Sequence, residues 1–177
     1  ANLQIHNYDQ NIIPSLLHQH LQDHFNQLKR LAKQLVIELP ENFLSSNTTT
    51  ESLTVSTEPL MACLDQLMVL CPRRHGLWGV NNVHRFLLGQ EFEAGLTQWP
   101  MGTPVMCGEN QPELGLSNGD IGVLIGKSSN KHLLFRLISE EGNLCTQLIH
   151  PARLRLIEPA FAITIHKAQG SEAEHVI

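Results

Sequence analysis

From Thr103 onward the chain is cut into apolar runs of four to seven residues, and that spacing sharply limits the folds open to it. The runs are Pro104–Cys107, Ile121–Ile125, His132–Ile138, Leu144–Ile149 and Arg153–Ile157. They are too short for amphipathic helices, and turn residues separate them at near-regular intervals. This predicts a small antiparallel barrel or meander over 103–157. Asn118-Gly119 marks a tight turn, because a type I′ turn needs positive φ at both central residues.

The first hundred residues have a different texture. Between 9 and 39, Leu17, Leu21, Phe25, Leu28, Ala32 and Leu35 recur at steps of three and four, which predicts an amphipathic helix bounded by Pro14 and Pro40. Leu44 to Thr57 reads as a polar loop. Glu58 to Leu67 predicts a helix with Leu60, Cys63, Leu64 and Leu67 inward. Met68 to Cys71 predicts a strand stopped by Pro72, and Asn81 to Gly89 a helix burying Val83, Phe86 and Leu87. Strand, turn and helix in that order are half of a βαβ unit, so a parallel sheet is expected. Phe161 to Ile165 predicts one more buried strand, running into a polar turn of His166, Lys167, Gln169, Gly170, Ser171 and Glu172. Open α/β folds bind phosphates and nucleotides at such carboxyl ends.

Bulk composition narrows the function classes. With 177 residues and 42% hydrophobic content, one domain-sized core is expected. No apolar run reaches the roughly 18 residues of a membrane span, and the amino terminus has no basic stretch followed by an apolar one. No membrane association and a cytoplasmic location are therefore expected. Cys63, Cys71, Cys107 and Cys145 are scattered without C-x-x-C pairing and read as buried thiols. His20 and His24 have helical ligand spacing, but no H-E-x-x-H pattern follows, so no metal site is expected. A formal charge of −5 argues against coating DNA by bulk electrostatics. It leaves open a motor that grips a few phosphates.

Three stretches carry a family resemblance. Thr164-Ile165-His166-Lys167-Ala168-Gln169-Gly170-Ser171-Glu172 resembles motif V of superfamily 1 DNA helicases in the RecD form, T-x-H-K-x-Q-G-S-E. Leu70-Cys71-Pro72-Arg73-Arg74-His75-Gly76-Leu77-Trp78-Gly79-Val80 looks like the strand, arginine and glycine-rich turn of motif IV. Between them, Gly102-Thr103-Pro104-Val105-Met106, Asn110, Leu114-Gly115-Leu116 and Asn118-Gly119-Asp120-Ile121-Gly122 are similar to the run that precedes motif V in that family. Together they cover roughly residues 67–177. The chain is thus identified by resemblance with the RecD family, the alpha subunits of exodeoxyribonuclease V.

The resemblance implies an α/β fold with a partial RecA-like parallel sheet, an amino-terminal helical segment and an inserted small antiparallel SH3-like β-barrel. Residues 1–66 would be helical segment and linker, 67–102 and 158–177 the second RecA-like domain, and 103–157 the barrel. It further implies a fragment of an ATP-dependent DNA helicase subunit moving 5′→3′ on single-stranded DNA in double-strand break repair and recombination. ATP and Mg would serve the parent protein, with none expected bound to the fragment, and RecB and RecC would be partners.

Residue by residue, Thr164, His166 and Lys167 fall on the single-stranded DNA side. Gln169, Gly170, Ser171 and Glu172 fall on the nucleotide side. Arg74 has two roles open to it, reaching the γ-phosphate or holding a structural carboxylate. Trp78 either stacks on a base or packs in the core, and Asn110 and Asn118 read as turn formers. Asn81-Asn82-Val83-His84 departs from the family pattern, which leaves the role of His84 open. No P-loop is present: Gly122-Val-Leu-Ile-Gly126-Lys127-Ser128 has three residues between its glycines where four are needed. Motif VI is also missing, so no catalytic residue is assigned and the isolated fragment is expected to be inactive. Two alternatives remain: a non-catalytic DNA- or protein-interaction module, and a fragment of a Pif1- or relaxase-type helicase.

Overall fold

The computed structural model describes residues 15–39, 57–126, 130–138, 144–168 and 175–177. Helix α1 spans Ser15–Glu38 and α2 spans Glu58–Asp65, followed by strand β1, Leu67–Cys71. Helices α3, Val80–Leu88, and α4, Glu91–Ala94, come next. The antiparallel strands are β2, Pro104–Cys107, β3, Ile121–Ile125, β4, His132–Ile138, β5, Leu144–Ile149, and β6, Ile157–Pro159. Strands β7, Ala162–Thr164, and β8, His175–Val176, complete the order. The fold is mixed α/β.

Two sheets result. The parallel sheet runs β7-β1-β8, and the antiparallel one β5-β4-β3-β2-β6. In the second, sequence neighbours pair as a meander until β6 returns to lie beside β2, with Val105 opposite Pro159 and Cys107 opposite Ile157. Side chains alternate across this sheet, and both faces are covered. Leu124, Leu133 and Phe135 face one core with Val105, Cys107 and Ile149. Val123, Ile125 and Leu134 face a second core with α2 and the carboxyl half of α1.

The expected stripe on α1 is what joins the two cores. Leu21 and Phe25 pack into the first, and Phe25 meets Phe161 edge-on at 4.6 Å between ring centroids. Leu28, Ala32 and Leu35 pack into the second. Each fully buried leucine or phenylalanine stabilises by roughly 1.5–3 kcal/mol, so one helix ties both sheets together. The approach is close. Gly102 has φ +88°, and a Cβ there would lie 2.6 Å from the backbone nitrogen of Lys29. The glycine that opens the Gly102–Met106 motif is therefore the place where the chain passes under α1.

Several expectations are corrected. The run Arg153–Ile157 is not a strand. Pro151–Arg153 forms a 3-10 turn, nucleated by Pro151 and by the His150 ring accepting from the Ala152 amide, and pairing with β2 begins only at Ile157. Leu67 belongs to β1 and not to the preceding helix. Phe86 is 40% exposed and stacks on His18 at 4.0 Å, while His84 takes the inward position on α3. The expected tight turn is present at Asn118-Gly119, closed by the Asp120 amide on the Ser117 carbonyl at 3.1 Å, at the end of a longer excursion between β2 and β3. Ile165 leaves the strand early, is 52% exposed and starts a 3-10 turn, Ile165–Ala168.

Cys63, Cys71 and Cys107 are buried free thiols and Cys145 is half-buried. Burial pushes the Cys63 and Cys71 thiols up from their ordinary pKa. Among the described residues no helix is long and apolar enough to cross a membrane.

Candidate functional site

The register of the parallel sheet puts the two motif turns side by side. Cys71, the last residue of β1, lies opposite Thr164, the last residue of β7. The segments that follow both strands therefore leave the same edge of the sheet. That edge is where open α/β folds gather ligands.

After β1, Pro72 has no amide hydrogen to extend the ladder, and the chain turns through residues 73–79 into α3. Glycines set the turn's shape. Gly76 has φ +93°, and a Cβ on Gly79 would lie 2.6 Å from the His75 carbonyl group. The Val80 and Asn81 amides donate to the Arg73 and Arg74 carbonyls at 3.1 and 3.0 Å, which fixes both arginines at the helix entrance. Asn82 holds the turn from the other side, its side-chain amide donating to the Leu77 carbonyl at 2.9 Å.

The second turn is Ile165–Ala168. Thr164 is half-buried, His166 is exposed and Lys167 is half-buried. A third segment completes the cluster. Glu158, in the middle of β6, receives the fork of Arg74, with Nη1 on Oε1 at 3.1 Å and Nη2 on Oε2 at 2.7 Å. Lys167 Nζ lies 3.7 Å from the same Oε2. Arg74 thus holds a carboxylate with both arms of its guanidinium.

The electrostatics follow from this geometry. Partial burial works against the Glu158 charge, but the Arg74 hydrogen bonds and the Lys167 charge outweigh it and hold the carboxyl below its ordinary value. The Glu158 hydrogen bond in turn raises Arg74. His84, beneath the cluster on α3, is 2% exposed, and its Nε2 lies 3.1 Å from the Ala162 carbonyl oxygen. Burial pushes its pKa down to about 4, against smaller upward contributions from that hydrogen bond and from Glu158, so the ring is neutral at physiological pH.

Arg74, Lys167 and, through strand register, Thr164 are thus brought together. Gln169, Gly170, Ser171 and Glu172 lie outside the described residues, as do Lys127 and Ser128. Asn110 and Asn118 meet in the turn: the Asn110 side-chain oxygen accepts from the Asn118 backbone amide at 2.8 Å. Trp78 is half-buried. His24 is half-buried and shifted down by desolvation, while His20 is exposed, and among the described residues no group of three or more His, Cys, Asp or Glu is placed to hold a metal. A cavity of about 220 Å³ lies between α1, α2 and the two sheets, touching Leu67 and Met68 at the opposite, amino end of β1.

Glu158 and His84 were not singled out by motif. The signal for Glu158 is a lone acid between Leu156-Ile157 and the last buried strand. His84 had only its departure from a family pattern.

No family model matches the chain. It is similar to the RecBCD enzyme subunit RecD of Mycolicibacterium smegmatis, 34% identical over 120 residues, which cover 66% of this chain and 20% of that protein. The RecD subunit of Buchnera aphidicola from Acyrthosiphon pisum is 32% identical over 112 residues, 59% of this chain and 18% of that one. That of Haemophilus influenzae is 38% identical over 79 residues, 45% and 10%. The chain spans about a tenth to a fifth of the length of these curated relatives.

Proposed function

Starting from a chain that is RecD-like over about 60% of its length, we propose that it is a segment of a DNA helicase subunit. In this reading it contributes one wall of a composite nucleotide and single-stranded DNA site. The observation that carries the proposal is the convergence of Arg74 and Lys167, from the carboxyl ends of adjacent parallel strands, on one carboxylate. Two cations at that edge suit phosphate groups.

The finer assignments belong to the same reading. β1, β7 and β8 form part of a RecA-like sheet. The order β5-β4-β3-β2-β6, with a 3-10 turn before the last strand, supports an SH3-like barrel inserted between β1 and β7. Thr164, His166 and Lys167 contact the DNA backbone, and Gln169, Gly170, Ser171 and Glu172 the nucleotide. ATP and Mg serve the parent protein, which translocates 5′→3′ with RecB and RecC in cytoplasmic double-strand break repair. Arg74 is a donor of the right charge for a triphosphate, and phosphoryl transfer additionally needs a phosphate cradle from elsewhere.

The test is DNA-dependent ATP hydrolysis by the full-length gene product. Thr164→Ala should weaken single-stranded DNA binding and leave nucleotide affinity nearly intact; Glu172→Ala should do the reverse. Each loss should be about 0.5–1.5 kcal/mol, the size of one hydrogen bond. Absence of DNA-stimulated hydrolysis would favour the alternative, a non-catalytic interaction module.

A further inference from the structure

Glu158 belongs to no helicase motif described above, yet it is the acceptor on which two motif turns converge. Its backbone lies in the antiparallel sheet, opposite Met106 of β2, while its carboxylate reaches across to the turns after β1 and β7. The bidentate geometry with Arg74 matches the way a guanidinium takes a phosphate, and Lys167 stands beside it as a point charge. The side chains are only partly covered, at 42% exposed for Arg74, 30% for Lys167 and 23% for Glu158, so solvent and a ligand can reach them.

We propose that Glu158 is a phosphate surrogate, a carboxylate that parks Arg74 and Lys167 at the ligand edge and is displaced when a phosphate group arrives. This rests on the helicase reading for its setting, and it adds a competitor to that site. Two cations without a carboxylate between them would repel one another and draw in any anion. With Glu158 present, that field is roughly halved, from two positive charges to a net one, until a multiply charged phosphate outcompetes the carboxylate. The barrel strand β6 thereby becomes sensitive to site occupancy, since the same residue is anchored in its ladder.

Two phosphate sources share this chemistry, a nucleotide polyphosphate and the DNA backbone. Inorganic pyrophosphate and an oligothymidylate without terminal phosphates distinguish them. Using the full 177-residue chain, Glu158→Gln should tighten binding of whichever probe is the source about two- to fivefold, the range expected for a partly exposed ion pair. Arg74→Gln should abolish most of that binding. Should Glu158→Gln not fold, the wild-type chain still answers. The Glu158 carboxyl titration, followed by carbon NMR, should move up toward the ordinary glutamate range at saturating probe, because its cations have left it.

Unchanged or weaker affinity in folded Glu158→Gln overturns the proposal. So does a carboxyl titration that the bound probe leaves in place, and so does a chain that binds neither probe. The two readings fail separately. A responsive Glu158 in a protein whose full-length form shows no DNA-dependent ATPase keeps the surrogate and removes the helicase. ATPase with an unresponsive Glu158 does the opposite.

Discussion

His84 Nε2 lies 3.1 Å from the carbonyl oxygen and 3.3 Å from the amide nitrogen of Ala162, a residue on the far side of the inserted antiparallel sheet in sequence. Among the described residues β7 stands at an edge of the parallel sheet, so its outer backbone groups need a partner from outside the ladder. A neutral imidazole can serve either one, donating to the oxygen in one tautomer or accepting from the amide in the other. α3 is therefore bolted to the strand that delivers the motif turn.

Burial of that ring makes stability depend on pH. An unfolded chain protonates His84 near 6.5, whereas the folded chain resists until about 4. The contribution is complete above 6.5 and is lost as pH falls toward 4, with an upper size of ~3 kcal/mol. Glu158, also held below its ordinary value, adds an acid-side loss of the same sign. Urea midpoints measured from neutral pH downward should fall through this window. His84→Gln should flatten the decline, and an unchanged slope would acquit the histidine.

Gly102→Ala should be costly although the added group is one methyl. Its Cβ would lie 2.6 Å from Lys29 N and 2.9 Å from the Leu28 carbonyl carbon, at a φ that L residues rarely adopt. Overpacking and left-handed strain together predict a loss of about 2–4 kcal/mol. Limited proteolysis should then cut within α1 sooner than in the wild type, and equal cutting rates would contradict the close approach.

Lys131→Met should lower the melting temperature by several degrees. The ammonium donates to the carbonyls of Thr97 and Trp99, each at 2.6 Å, and reaches that of Leu96 at 3.5 Å. Methionine keeps the stem and removes all three donors, a loss of about 1.5–3 kcal/mol for charge-assisted bonds. Trp99 fluorescence is a local reporter of the same change, and a spectrum and melt like the wild type's would disprove it.

Single-stranded DNA should bind the 177-residue chain weakly and with a shallow salt dependence. Twelve Lys and Arg stand against 17 acids, and two of those cations are already shared with Glu158. Each phosphate neutralised contributes about −0.7 to the slope of log K against log salt. A measured slope of about −5 or steeper would reveal a basic stripe beyond this site.

Local periodicity made α1, α2, β1 and β2 to β5 legible, since each shows its buried face within its own residues. β6 was misplaced because only its pairing with β2 defines it, and Pro159 is tolerated there because β6 is an edge strand. Phe86 fits the helical stripe of α3, but His84 is buried instead, for a hydrogen bond to backbone that no local pattern encodes. The same holds for the site. Motif spacing pointed to Arg74, Thr164 and Lys167, whereas Glu158 becomes visible only when the two sheets are brought together.

The meeting of Pro104 and Ala160, whose backbones are joined by a hydrogen bond of 2.9 Å, bears on the order in which the molecule assembles. Strands β1 and β7 are partners separated by ~90 residues of chain, a long loop to close from a coil. Once the antiparallel sheet has formed and β6 has returned to β2, its two ends coincide and the open span shrinks to ~40 residues, which lowers the entropic cost of closure by ~1 kcal/mol. The inserted sheet thus serves as a folding splint for the parallel one, and damage to its core should slow the making of the edge that carries Arg74 and Lys167 before it weakens the finished edge.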